Sequence, residues 1–439
     1  MGVAHKPRCA LLKYRPFWFR MIKMAQACGI DFGTSNSTVG WVRPGQPIML
    51  ELEDGKMTLP SVVFFNAEDE ETSYGRAALA EYLAGCEGRL MRSLKSLLGT
   101  SLIDGQTEVG GRALPFRLLL SQFIGEVKRR AESAAGRHFD HVVMGRPVHF
   151  IDDDKAADQL AEDTLAEIAR SVGFREVAFQ YEPIAAAFEY ESQIDREELV
   201  LIADIGGGTS DFTLVRLGPD RVARPERVDD ILATGGVHIG GTDFDKYLSL
   251  SSVMPLLGYG SQFLSGAEVP SSYYFNLATW HTINQAYTRK MQAQLTEMIR
   301  DAREAAKLER LQHLIEERAG HWLALKVEEA KIGLSTADDV QLNLERFTPP
   351  VLLDVTRGSF DSAVDHLVSS VGATVTQLLA DAGVQPGQVD TIFFTGGSSG
   401  VRLLRERIAA LVPGARRVEG DLFGSIGAGL ARDALRKFA

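Results

Sequence analysis

Two stretches of this chain carry the same local pattern. Asp31-Phe32-Gly33-Thr34-Ser35-Asn36-Ser37-Thr38-Val39 and Asp204-Ile205-Gly206-Gly207-Gly208-Thr209-Ser210-Asp211-Phe212 each run from an apolar strand ending in Asp, through a Gly/Ser/Thr turn, into a second strand. Either stretch alone is also what an ordinary β-hairpin looks like, since Asp, Gly, Ser and Thr are common turn residues. The pair is more restrictive. Glycine lets backbone come within hydrogen-bonding distance of a phosphate, and consecutive N–H groups can then converge on an anion. Thr34, Ser35 and Thr209 add hydroxyl donors. The strand-end carboxylates Asp31 and Asp204 are poor phosphate ligands but good partners for a hydrated Mg²⁺. Two such hairpins predict duplicated lobes, each presenting a phosphate loop to a shared cleft.

The rest of the chain fits that frame. Helical spacing at Ser121–Ala135, Ala156–Ser171 and Ser362–Ala382 alternates with strands at His141–Met144, Leu199–Asp204 and Thr391–Thr395, the pattern of an α/β fold. The 439 residues exceed what one core normally encloses. Lobe I is expected over 25–193 and lobe II over 194–412, with 413–439 a C-terminal helix returning to lobe I. Residues 258–330 break the alternation. They are rich in Gln, Glu, Lys, Arg, Ala and Leu and read as one or two long helices with a solvated charged face, an insert at the outer end of lobe II.

Composition excludes some functions. Charge sums to 47 − 58 = −11, which disfavours a nucleic-acid surface. Cys9, Cys28 and Cys86 form neither a disulfide framework nor a metal-ligand spacing, as expected for a reducing, cytoplasmic setting. No apolar run approaches a membrane span of about 20 residues. Residues 1–24 are basic, with no acidic residue, and their cations interrupt any signal-peptide core. They read as a disordered extension. There is no G-x-x-x-x-G-K-[ST] and no G-x-G-x-x-G joining strand to helix, so the phosphate site is neither a P-loop nor a Rossmann site.

Gly29–Ser37 and Ile202–Asp211 resemble the two phosphate segments of the DnaK-type heat-shock chaperones. Tyr181-Glu182-Pro183-Ile184-Ala185-Ala186-Ala187 is similar to that family's connecting segment, and Phe394-Thr395-Gly396-Gly397-Ser398-Ser399 to its adenosine segment. His238–Asp245, Glu328-Glu329-Ala330-Lys331 and Gly424–Ala431 fit the same family, and the ordered set spans about 25–439. The resemblance is greatest to the YegD branch, which lacks a substrate-binding domain. It implies the two-lobed actin-like ATPase fold, an α/β architecture of duplicated ribonuclease-H-like cores. It also implies ATP/ADP and Mg²⁺ as ligands, with K⁺, and a protein partner or co-chaperone, but neither nucleic acid nor membrane.

The resemblance assigns roles as well. Lys95 matches the lysine at the γ-phosphate and attacking water, Glu182 the glutamate that positions that water, and Thr209 lies at the γ-phosphate. Gly33, Thr34, Ser35, Asn36, Gly206, Gly207, Gly208, Gly240 and Gly241 match the phosphate cradle. Asp31 and Asp204 match the aspartates holding Mg²⁺ through water, and Asp211 a carboxylate near the monovalent cation. Glu328, Lys331, Ser335, Gly396, Gly397, Ser398 and Asp421 match the adenosine side. Two adenine-stacking arginines of the family are replaced here by Ile332 and Gly400, so apolar contact to the base is expected instead of guanidinium stacking. Pro147 fits the family's switch proline, and Lys155 stands where an arginine couples the lobes to a substrate domain. No apolar linker or β-rich domain follows before Ala439, so this chain alone is not expected to complete a chaperone cycle. The functional expectation is a slowly hydrolysing, nucleotide-gated switch. A small-molecule kinase of the same fold and a non-hydrolysing nucleotide-gated scaffold are the alternatives.

Overall fold

The computed structural model describes residues 27–151, 154–222, 224, 227–421 and 424–438. The expected extension over 1–24 lies outside them. Two five-stranded sheets organise the chain, and they share one topology. In the first, Ala27–Phe32 pairs antiparallel with Asn36–Gly40 and parallel with His141–Arg146; Thr58–Pro60 and Glu176–Tyr181 form the edges. In the second, Glu198–Ile205 pairs antiparallel with Ser210–Leu217 and parallel with Thr391–Thr395; Ile231–Val237 and Arg416–Glu419 form the edges. The duplication expected from the two loops is thus a duplication of whole sheets, and the fold is the two-lobed α/β ATPase architecture.

The elements form for ordinary reasons. All six residues of Ala27–Phe32 are buried, as in a strand covered on both faces. The helix Phe116–Ala135 buries Leu119, Leu120, Phe123, Ile124, Val127 and Ala131 at helical spacing, and Gly136 ends it in the left-handed conformation at φ 64°. One core lies behind the first sheet, around Ile30, Phe32, Phe123 and Leu165. Another lies behind the second, around Leu201, Phe212, Phe244 and Val371.

Two helices tie the lobes together. Glu182–Glu191 sends Ile184, Ala186 and Tyr190 against Val200, Ile202 and Phe393 of the second sheet. Its Ala185 turns the other way, joining Ala27, Val143, Leu430 and Ala434 on the first. The last helix, Ser425–Phe438, crosses it so closely that Gly429 lies against the carbonyl of Ala185, where a Cβ has no room.

The insert corrects the sequence reading. It is not one or two long helices but a run of short segments: Ser272–Leu277, Trp280–Tyr287, Arg289–Asp301, Ala305–Glu316 and Gly320–Leu334. Nor is it merely a solvated face. Leu295, Leu308, Leu311, Leu314 and Ile315 are buried in the second-lobe core. Charge dominates the composition of this stretch, but leucines recurring at i, i+3 and i+6 make an inward stripe that the charges conceal. Among the described residues no helix is long and apolar enough to cross a membrane.

Candidate nucleotide site

The two hairpin loops face each other. Ser35 Oγ lies so close to Gly207 that a Cβ there would collide with it. Each loop is braced by backbone. In the first, Ser61 donates from its amide to Ser35 O (2.9 Å) and from its hydroxyl to Gly33 O (2.7 Å). In the second, Gly206 N–H reaches Thr209 O (2.9 Å), closing the turn. Gly240 then backs onto it, a Cβ at that position standing 2.6 Å from Gly208 N. The amides of Gly241 and Thr242 bond the carbonyls of Gly206 (3.0 Å) and Gly207 (2.7 Å). Those carbonyls are thereby consumed, which leaves the loop to present amides, the donor-rich surface an anion needs.

Four charged side chains converge at this junction. Lys95 Nζ donates to Glu182 Oε1 at 2.5 Å, each side chain 12% exposed. Lys95 also lies in the field of Asp31 and Asp204. Burial opposes its charge, but the three carboxylates outweigh that and raise its pKa. Asp31 is buried at the end of the first strand. Burial first, then Glu182, pushes it up to about 7, against the pull of Lys95. Asp204 is half-buried and is pushed up to about 8, by burial and then by Asp211, Glu182 and Asp31. The Asp211 effect follows from register: Asp204 and Asp211 stand directly opposite across the hairpin. Asp211 also accepts from Thr209 Oγ1 (2.7 Å).

Three carboxylates thus face one ammonium. The excess negative charge suits a divalent cation. Among the described residues no group of three or more His, Cys, Asp or Glu side chains converges as direct ligands. The carboxylates of Asp31 and Asp204 are oxygen donors of the kind a hydrated Mg²⁺ accepts.

The residues expected on the adenosine side gather on the second lobe. Lys331 Nζ donates to Gly241 O (3.1 Å) and pairs with Asp245 Oδ2 (2.9 Å). Ser398 Oγ lies against Gly241, and Ser335 Oγ donates to Lys331 O (3.4 Å) and faces Gly400. Gly396, at φ 81°, packs on Asp204 Oδ1 where no Cβ fits, so the strand Thr391–Thr395 ends in contact with the carboxylate cluster. Ile332 is 61% exposed, an apolar side chain left open on the same helix as Glu328 and Lys331. Gly397 and Asp421 are exposed, Asp421 beside Gly424 at the approach to the last helix.

Sequence reasoning missed the first lobe's reach across this cleft. Arg92 lies over the ring of Trp280 at 4.4 Å, Trp280 meets His321 edge-on at 4.7 Å, and His321 meets Tyr82 at 4.8 Å. Tyr82 also donates to Asn284 Oδ1 (3.0 Å). Beyond this bridge a cavity of about 1280 Å³ opens between the lobes, lined among others by Tyr82, Arg89, Asn284 and His321. Arg92 carries no sequence signal beyond standing three residues before Lys95.

Comparison with known proteins accords with this geometry. The chain is 28% identical over 431 residues to the chaperone protein HscA of Citrobacter koseri, covering 93% of this chain and 58% of HscA. It is 25% identical over 409 residues to the chaperone protein DnaK of Thermus thermophilus, covering 89% of this chain and 57% of DnaK. The chain therefore spans less than two thirds of the relatives it matches. The family described as Hsp70 protein matches residues 27–122, 106–251 and 289–431. With its paired sheets, facing loops and central carboxylate cluster, this chain belongs to the Hsp70 family.

Proposed function

We propose that this chain is a Mg²⁺-dependent ATPase whose slow turnover switches the closure of its lobes and thereby its affinity for a protein partner. The observation that carries the reading is the Lys95–Glu182 pair, set against Asp31 and Asp204 where the two loops meet. Phosphoryl transfer needs little covalent help; positioning and charge stabilisation suffice.

In this reading the loops of Gly33–Asn36 and Gly206–Thr209, backed by Gly240 and Gly241, hold the β- and γ-phosphates through backbone amides. Mg²⁺, when bound through waters on Asp31 and Asp204, supplies neutralising charge to the phosphate oxygens. Lys95 turns from Glu182 toward the γ-phosphate and the attacking water. Glu182, released from that contact, accepts a hydrogen bond from the water and orients it in line. Thr209 donates its hydroxyl to the γ-phosphoryl group, while Asp211 holds Thr209 and borders the K⁺ site. Glu328 and Lys331 bind the ribose; Ser335, Gly397, Ser398 and Asp421 border the base, with Ile332 covering one face. The connecting helices that cross at Gly429 and Ala185 are where closure would be transmitted. A cytoplasmic protein partner or co-chaperone would read the two states.

Calorimetry with ATP, ADP and GTP, with and without Mg²⁺, followed by single-turnover hydrolysis, tests this. Mg²⁺-dependent binding of ATP and ADP with slow release of phosphate is expected. No binding at millimolar nucleotide would overturn it, and tight binding without any turnover would leave a nucleotide-gated switch that does not hydrolyse.

A further inference from the structure

Arg92 ends the strand Gly88–Arg92 of the first lobe's three-stranded sheet, yet its guanidinium lies over Trp280 of the second lobe. Among the described residues its guanidinium makes neither a hydrogen bond nor an ion pair; it stacks on Trp280 and lies in the field of Glu328 and Asp245. Burial keeps its pKa below the usual guanidinium value, although Glu328 and Asp245 draw it upward. A half-buried guanidinium whose donor fork is not paired within the protein is open to an acceptor that enters the cleft.

The surroundings say what that something is. Arg92, Thr242, Asp245, Trp280 and Glu328 line one cavity of about 50 Å³. That exceeds the room one water needs and falls far short of a whole nucleoside. Asp245 is committed to Lys331 through Oδ2 and keeps Oδ1 unpartnered. The carboxylate of Glu328, lining the same cavity, likewise makes no hydrogen bond or ion pair among the described residues. An unspent donor fork and an unspent acceptor carboxylate line the same cavity without touching each other. A group fills that gap best if it accepts from one and donates to the other, as the adjacent hydroxyls of a sugar do.

We propose that Arg92 reaches across the cleft to donate to a ribose hydroxyl of the bound nucleotide, sharing the sugar with Glu328, so that the first lobe reads ribose directly. The inference rests on the ATP reading above and adds to it a selectivity determinant. Arg92 binds the sugar from the lobe opposite to Glu328, so the sugar becomes a bridge between lobes. A nucleotide without those hydroxyls loses the bridge while keeping its phosphate contacts.

The test is calorimetry of ATP and 2′,3′-dideoxy-ATP, in Mg²⁺, against the wild type, Arg92→Ala and Arg92→Lys. The wild type should prefer ATP. Arg92→Ala should weaken ATP about tenfold, about 1.4 kcal/mol, and dideoxy-ATP less than twofold. Arg92→Lys keeps the charge without the fork and should fall between. Equal losses for both nucleotides, or no loss for either, would overturn the proposal, as would a wild type indifferent to the hydroxyls. Should Arg92→Ala fail to fold, the wild type and the Lys variant decide by the same ratio. A wild type that binds neither nucleotide removes the ATP reading itself, an outcome distinct from all of these.

Discussion

Lys95 Nζ stands 2.5 Å from Oε1 of Glu182, a residue 87 positions further along the chain and at the first position of the helix that joins the two lobes. The pair couples the 3₁₀ turn Leu94–Leu97 to the connecting helix, and it is the point at which chemistry and lobe geometry meet.

Breaking that pair should separate catalysis from binding. Interactions stronger in the transition state than in the ground state lower turnover without a matching loss of affinity. Lys95→Ala and Glu182→Gln should each slow single-turnover hydrolysis about 10²-fold or more, about 2.7 kcal/mol. ATP affinity should stay within about tenfold. Rapid-quench hydrolysis beside calorimetry reads both, and wild-type rates in both variants would remove the catalytic assignment.

The same substitutions should differ in stability. Lys95→Ala leaves Glu182, Asp31 and Asp204 without their cation, and removing one partner of a buried pair typically destabilises by about 3–5 kcal/mol. Glu182→Gln relieves Asp31 and Asp204 of one neighbouring charge, so its loss should be smaller. Thermal melts without nucleotide should therefore rank wild type above Glu182→Gln above Lys95→Ala.

Asp204→Asn should raise stability and impair function. A carboxyl whose folded-state pKa stands above its unfolded value carries no penalty below about pH 4, where both states are protonated. The penalty grows as pH rises and is complete above the folded-state value, which for Asp204 is about 8. The metal-free wild type should lose ground to Asp204→Asn as pH is raised from roughly 5 to 8.5. In hydrolysis the variant should need more Mg²⁺ than the wild type, with partial rescue by excess metal. Parallel melting curves across that pH range would show that the pKa of Asp204 is not raised in the folded state.

The insert should behave as part of the second lobe. Leu308→Ala and Leu311→Ala each empty a fully buried position in the core behind the second sheet, and such truncations typically cost about 2–5 kcal/mol. Melting temperatures should fall together with nucleotide-induced stabilisation if the lobe unfolds as one unit. Neutral variants would restore the reading of this stretch as a solvated appendage.

A methyl group at Gly240 should disturb the phosphate loop without touching any charge. The added Cβ would stand 2.6 Å from Gly208 N and from the carbonyl carbon of Gly207, backbone that cannot swing aside. Gly240→Ala should weaken ATP and ADP alike by about tenfold or more, about 1.4 kcal/mol. AMP, which lacks the phosphates this loop would hold, should be nearly indifferent. Equal loss for all three nucleotides would point to a folding defect instead.

What the sequence determined by itself is local. The turns at Gly33–Asn36 and Gly206–Thr209 were legible because glycine, hydroxyl residues and strand-end Asp act within a few residues of backbone. The strands around them were legible because a chain buried on both faces must be apolar throughout. The duplication followed from seeing that pattern twice. Charge in the insert misled, because composition reports the solvated side of a helix while the leucines that decide its packing are few and must find a partner surface. Only the tertiary structure set Lys95 on Glu182 and carried Arg92 onto Trp280. Those relations depend on how segments far apart in the chain pack together. A side chain at the end of a strand points into whatever the other lobe brings within reach.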